Sequence, residues 1–260
     1  MLKIRASSLA EIMTDPKGKD ETLSVGAKTA ITKQAKEFVY GYDERFSSKY
    51  TEKGLLVEDR SIELLNSVLF TNYKKNTERK TNDWLTGEAD IVADRIIDIK
   101  SPWSLSTFPC LASEGENKTY EWQLRAYMML WDLDQAQIAY CLVNTPDHLV
   151  GFESKDLHYV EHIAPELRVT LLNYKRDLAL EDKIKFKVDE ARKYYDKIVK
   201  LTRFVNLEFY FVFKCLVAFV VKQRNPKLGR NMLNVMQCLI FKPNQVVRCV
   251  YKAICNLCLI

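Results

Sequence analysis

The stretch Gly87-Glu88-Ala89-Asp90-Ile91-Val92-Ala93-Asp94-Arg95-Ile96-Ile97-Asp98-Ile99-Lys100 decides the reading of this chain. It predicts two strands, 84–93 and 96–101, around a short Asp94-Arg95 turn. Side chains alternate across a strand, so Ile97 and Ile99 share one face and Asp98 and Lys100 the other. In the preceding strand Glu88, Asp90 and Val92 share a face, opposite Ala89 and Ile91. Ile91, Ile97 and Ile99 can then enter a core while Asp90, Asp98 and Lys100 gather on the far side. Gly87 reads as leaving room there for another backbone or a ligand.

Two carboxylates and a lysine on one sheet face need a physical reason. Neighbouring acids repel unless a cation lies between them. Mg²⁺ suits the position, because it takes oxygen ligands and commonly combines one or two carboxylates with substrate phosphates. The lysine is no metal ligand, but it can stabilise an attacking hydroxide or the charge developing on a phosphorane. Taken alone, Asp98 and Lys100 could equally be an ion pair on a solvated sheet face.

Working outward, Ser7-Ser8 reads as the cap of a short helix that ends at Asp15-Pro16-Lys17-Gly18. Residues 24–48 read as helix. A clearer helix covers 53–70, with Leu55, Ile62, Leu65 and Leu69 on one stripe. Glu58 falls on that stripe, four residues before Ile62, and an acid there is usually paired or bound to metal. It could be a third carboxylate for the Asp90/Asp98 face. After a loop with Pro102, Pro109 and Gly115, a helix over 119–133 carries Gln123 and Tyr127 as an i,i+4 pair. A third strand is expected over 137–143, and residues 156–204 read as mostly helical. A small central sheet with helices on its faces is the economical packing. His148, His158 and His162 read as surface residues, the HxxxH spacing alone being a weak zinc signal.

The Asp90…Asp98-Ile99-Lys100 string resembles the core of the PD-(D/E)xK nuclease superfamily, in its D-xK form. Lys53-Gly54…Glu58 upstream and Tyr120…Gln123…Tyr127 downstream resemble flanking motifs of the phage recombination exonucleases, the YqaJ and lambda-exonuclease group. The opening Arg5-Ala6-Ser7 is similar to that group's start. The resemblance covers about residues 3–200. It departs from the usual pattern at Asp98, which stands where a Glu is common. It implies an α/β fold with a restriction-endonuclease-like core, a small mixed central sheet flanked by helices and a helical C-terminal extension.

The resemblance also implies a metal-dependent deoxyribonuclease acting on duplex DNA ends in phage-type recombination. Asp90, Asp98, Lys100, Glu58 and Gln123 would be its catalytic residues. Glu58, Asp90, Asp98 and the Ile99 carbonyl would hold one or two Mg²⁺ or Mn²⁺ ions. Arg5, Ser7, Ser8, Ser101, Trp103, Ser104, Arg125 and Tyr127 are candidates for contacting DNA. A homo-oligomer and a single-strand annealing protein are further expected partners. Two alternatives stay open: a RecB-like single-strand nuclease, and an inactive DNA-binding module on the same fold.

The net charge of +5 does not itself support nucleic-acid binding. Residues 205–260 hold eight Lys/Arg and one acid, so they supply more than the whole excess. They also hold five of the seven cysteines. The chain therefore reads as a nuclease domain over 1–204 and a basic, cysteine-rich, apolar extension over 205–260. Cys249, Cys255 and Cys258 run in the opposite order to the spacing of iron–sulfur nucleases, so no cluster is expected. The apolar run 209–221 is short for a membrane span and is interrupted by Lys214. No secretory signal is read at the N-terminus, and a cytoplasmic location with reduced thiols is the expectation, in a bacterium or a phage-infected host cell.

Overall fold

The structure, a computed structural model, describes residues 2–44 and 47–224, with side chains through Arg203. The chain starts with β1 (Ile4–Arg5), a 3-10 turn over Ala6–Ser8 and α1 (Leu9–Met13). The helix α2 (Val25–Tyr40) begins at Ser24, whose hydroxyl accepts from the Ala27 N–H at 3.0 Å. It stops at Gly41 in the left-handed region, φ +69°, and so does not continue to residue 48 as expected. The helix α3 (Lys49–Leu69) opens on a reciprocal Ser48/Thr51 cap. Then follow β2 (Lys80–Thr81), β3 (Leu85–Gly87), β4 (Ile91–Val92) and β5 (Ile96–Lys100). After them come α4 (Lys118–Trp131), β6 (Gln135–Cys141), α5 (Asp147–Val150), β7 (Val169–Lys175) and α6 (Leu178–Arg224).

The strands form two small mixed sheets, ordered β1-β3-β2 and β4-β5-β6-β7. In the larger, β5 runs parallel to β6, while β4 and β7 are antiparallel to their neighbours. Helices cover it on both sides. Ile91, Ile97, Ile99, Ala139 and Cys141 pack with Val57, Ile62 and Leu65 of α3. Ile96, Ala136, Ile138 and Tyr140 pack on the other side with Leu124 and Met128 of α4 and with α1 and α2. The predicted parity of β5 therefore holds, and the Asp98/Lys100 face lies under α4.

Two expectations are corrected. The strand over 84–93 is two strands in different sheets. Asn76 explains the break: its N–H donates to the Asp90 carbonyl at 2.7 Å and its side chain to the Ala89 carbonyl at 2.9 Å, in place of ladder bonds. Residues 156–204 are mostly helical as expected, through 178–204, but 169–175 among them form an unexpected strand, β7, along the full length of β6. Val169, Thr170 and Tyr174 are residues that favour a pleated, half-buried edge. Leu55, expected on the buried stripe of α3, is 76% exposed, and Lys53, Val57, Ser61 and Leu64 join Ile62 and Leu65 there instead.

One compact unit spans Met1–Asp196. Of the second, which begins at Lys197, the structure describes only the continuation of α6 to Arg224. The cysteines at 238, 249, 255 and 258 lie outside the described residues, as do the side chains of 209–221. No described helix is long and apolar enough to cross a membrane.

Candidate active site

The end of β5 carries two residues of the site on one strand face. Asp98 is 1% exposed, and its Oδ2 lies 2.6 Å from the Lys100 ammonium. Lys100 also sits over the Tyr120 ring, 4.5 Å from its centre. From α4, the Gln123 amide donates to Asp98 Oδ1 at 3.1 Å and to the Tyr127 hydroxyl at 3.0 Å. Asp90, on the bend before β4, accepts from the Ile99 N–H at 2.7 Å through Oδ2. The loss of strand geometry at 88–90 thus turns the Asp90 side chain onto β5. Strand parity put these residues together for a reason that the backbone realises differently.

The electrostatics are strained in one direction and satisfied in the other. Burial first, and the charge of Asp98 second, push the Asp90 carboxyl well above the usual carboxylate range. Burial opposes the Lys100 charge, but Asp98 and Asp90 outweigh it and hold the ammonium above its ordinary range. Burial and then Asp98 hold the Tyr127 hydroxyl well above its own, so it stays neutral and accepts from Gln123.

These residues suit a hard divalent ion. Two buried acids repel, and beside them Asp98 Oδ2 meets the Lys100 ammonium at 2.6 Å, an oxygen-rich corner with one compensating charge. Glu58 makes no hydrogen bond to these residues, and its charge reaches Asp90 only from a distance. It is 14% exposed and bound to Lys75 at 2.8 Å. No group of three or more His, Cys, Asp or Glu placed to hold a metal occurs among the described residues.

Gly87 proves to serve packing rather than a ligand. A Cβ there would meet the Tyr127 ring at 2.8 Å, Ala6 at 3.0 Å and Leu130 at 3.2 Å. Gly87→Val is therefore expected to displace Tyr127 and cost about 2 kcal/mol through overpacking. A thermal melt and a tyrosine-perturbed near-UV spectrum would check it; an unchanged melt would rule the contact unimportant.

The proposed DNA contacts divide. Arg5 and Ser7 are exposed and Ser8 is half-buried, beside α4. Ser101 shares a 2.9 Å hydrogen bond with buried Ser61. Trp103 is buried, donates to Glu153 at 2.8 Å and stands edge-on to Tyr50 and His158. Ser104 is buried as well and bonds Ser106. Arg125 is two residues from Gln123, hence on the opposite side of α4, and pairs with Glu121 at 2.6 Å. His158, expected at the surface, is buried against Thr145.

Residue-by-residue reading missed Lys53, Lys75 and the ring of Tyr120 against Lys100. Lys53 is 1% exposed and donates to the carbonyls of Pro102 at 2.6 Å, Trp103 at 3.0 Å and Val143 at 3.1 Å. A signal existed: Lys53 lies four residues before Val57 and eleven before Leu64, so the three share one apolar face of the helix.

No protein-family model matches the sequence, and no curated protein matches it. Among solved structures, the chain is similar to a phage-related exonuclease from Haemophilus somnus 129PT. The identity is 37%, the TM-score 0.73, and the match covers 77% of this chain and 96% of that one. An alkaline exonuclease, LHK-Exo, from Laribacter hongkongensis shares the fold at 13% identity and TM-score 0.59, covering 80% of this chain and 94% of that one. LHK-Exo in complex with dAMP matches at 14% and 0.60 over the same shares. On sequence identity, coverage and fold together, this chain belongs to the phage-related exonuclease family, of the YqaJ and lambda-exonuclease type.

Proposed function

We propose that the chain is a Mg²⁺- or Mn²⁺-dependent exonuclease that hydrolyses phosphodiesters at the ends of duplex DNA. The observation that carries this reading is the joined set Asp90, Asp98, Lys100 and Gln123, in a chain 37% identical to an exonuclease. Asp90, Asp98 and the Ile99 carbonyl would hold the metal, with Glu58 as a further ligand once released from Lys75. A bound metal supplies Lewis acidity toward the phosphate and acidifies its water.

The chain's own residues do the rest. Gln123 fixes the rotation of the Asp98 carboxylate by occupying Oδ1, and Lys100 lies against Oδ2, the oxygen that a bound metal would share with it. The Ile99 N–H likewise fixes the Asp90 carboxylate through Oδ2. Lys100 presents a fixed positive charge to the attacking water and to the phosphate oxygens as charge builds on them. Asp98 and the Tyr120 ring hold that ammonium from two sides. Attack leaves a 5′-phosphate and a 3′-hydroxyl. Arg5 and Ser7 are exposed and free to meet backbone phosphates. Trp103 and Ser104 would act indirectly, by holding the loop after Lys100. Degrading one strand of a duplex end exposes the other, which is the substrate of an annealing protein in recombination.

Digestion of end-labelled linear and closed circular duplexes tests the proposal. Linear duplex is expected to be degraded with Mg²⁺ and spared with EDTA, and the circle to survive both. Equal activity in EDTA would refute the metal dependence. Cleavage of the circle would refute the exonucleolytic mode.

A further inference from the structure

Lys75 occupies a built position beside the acids of the site. Its segment is tied down at both ends. Asn66 at the end of α3 accepts from the Tyr73 N–H at 2.7 Å and donates to the Tyr73 carbonyl at 2.9 Å. Asn76 is fastened to the Ala89 and Asp90 carbonyls, on the bend that carries the Asp90 side chain. The backbone of Lys75 is thereby fixed between Glu58 and Asp90, while its side chain stays 45% exposed. The ammonium lies 2.8 Å from Glu58 Oε2.

We infer that Lys75 is a resident counter-ion for Glu58, which a divalent metal must displace in order to recruit that carboxylate. This rests on the metal-dependent reading above. Two charges of the same sign cannot share one carboxylate at close range without cost. The metal gains Glu58 only by giving up part of its binding energy to move the lysine. The exposed stem gives the ammonium somewhere to go, into solvent or toward a phosphate of bound DNA. Lys75 is a positioning residue: it acts on the metal through Glu58 and makes no direct bond to it.

Calorimetric titration of the full chain with Mn²⁺, in wild type, Lys75→Met, Glu58→Gln and the double variant, tests this. Lys75 projects from an irregular segment, and a thermal melt of Lys75→Met checks that it is folded. Lys75→Met is expected to bind Mn²⁺ roughly threefold to tenfold more tightly. In the Glu58→Gln background the same change is expected to give no gain, because the coupling runs through that carboxylate. Equal or weaker binding by Lys75→Met overturns the inference. So does a gain that is undiminished in the Glu58→Gln background, which would mean a general field effect. An absence of Mn²⁺ binding in the wild type itself overturns the metal-dependent reading and this inference with it.

Discussion

Lys100→Ala is expected to lower the turnover number about a thousandfold on end-labelled linear duplex at saturating Mg²⁺. Duplex affinity is expected to stay within about threefold, since one partly buried ammonium is a small part of a phosphate-tracking surface. The reason for the asymmetry lies in where the charge sits. The Lys100 side chain is 21% exposed and its ammonium is held by Asp98 at 2.6 Å and by the Tyr120 ring, so it cannot follow the substrate. A charge fixed in advance costs no reorganisation when negative charge develops on the phosphate, and it therefore helps the transition state more than the ground state. Lys100→Arg is expected to recover little, because a planar fork does not fit the space of a point charge between a carboxylate and a ring face. A Lys100→Ala enzyme that kept a tenth of wild-type turnover would show that Lys100 only balances Asp98. A loss confined to KM would show that it binds substrate and does no more.

What was legible in the sequence was the part that obeys a period. The 96–101 strand places Asp98 and Lys100 on one face wherever it packs, and the 119–133 helix places Gln123 and Tyr127 one turn apart. Neither depends on the rest of the fold. Asp90 joined them by a route that period 2 does not describe. Its backbone leaves the strand, and Asn76 takes up the carbonyls that the ladder loses, that of Ala89 with its side chain and that of Asp90 with its backbone N–H. Long-range side-chain-to-backbone bonds of this kind have no local signature. The strand β7 was hidden for a related reason: Val169–Lys175 is short and apolar enough to read as either state, and the pairing with β6 decides it. Gly87 marked a close approach correctly but not its partner, because only the fold shows Tyr127 filling the space. The Glu58 reading used half of a pattern. Lys53, on the adjoining face with Val57 and Leu64, is the more deeply buried of the two charges, and the same argument applied to it asks at once for buried acceptors.

Those acceptors make Lys53→Met the second large effect, on stability. The wild-type ammonium ties the carbonyls of Pro102 and Trp103, in the loop after Lys100, to that of Val143 beyond β6. Met fills a similar volume but donates nothing. The Trp103 carbonyl keeps the Thr145 hydroxyl at 3.0 Å, whereas those of Pro102 and Val143 lose the donor given them by Lys53. Leaving buried acceptors unpaired costs about 1–3 kcal/mol each, and relief of the buried charge offsets part of it. A net loss of roughly 2 kcal/mol at pH 7 is expected, which lowers the melting temperature by about 4–8 °C in a chain of this size. The pH dependence carries the sharper sign. Burial pulls the Lys53 amine from 10.5 down to about 8. Between those values the unfolded chain binds a proton that the folded chain has released, so wild-type stability rises with pH there. Below about pH 8 both states are protonated and the contribution is flat at its lowest level. Lys53→Met lacks this titration, so the stability gap between wild type and variant is expected to widen from pH 8 to pH 10.5. Denaturant melts of both proteins across that range measure it, with Lys53→Arg as a variant that keeps the charge and the donors. A gap that stays constant would mean that Lys53 titrates normally, and a variant as stable as wild type at pH 7 would mean that its three carbonyl bonds contribute nothing net.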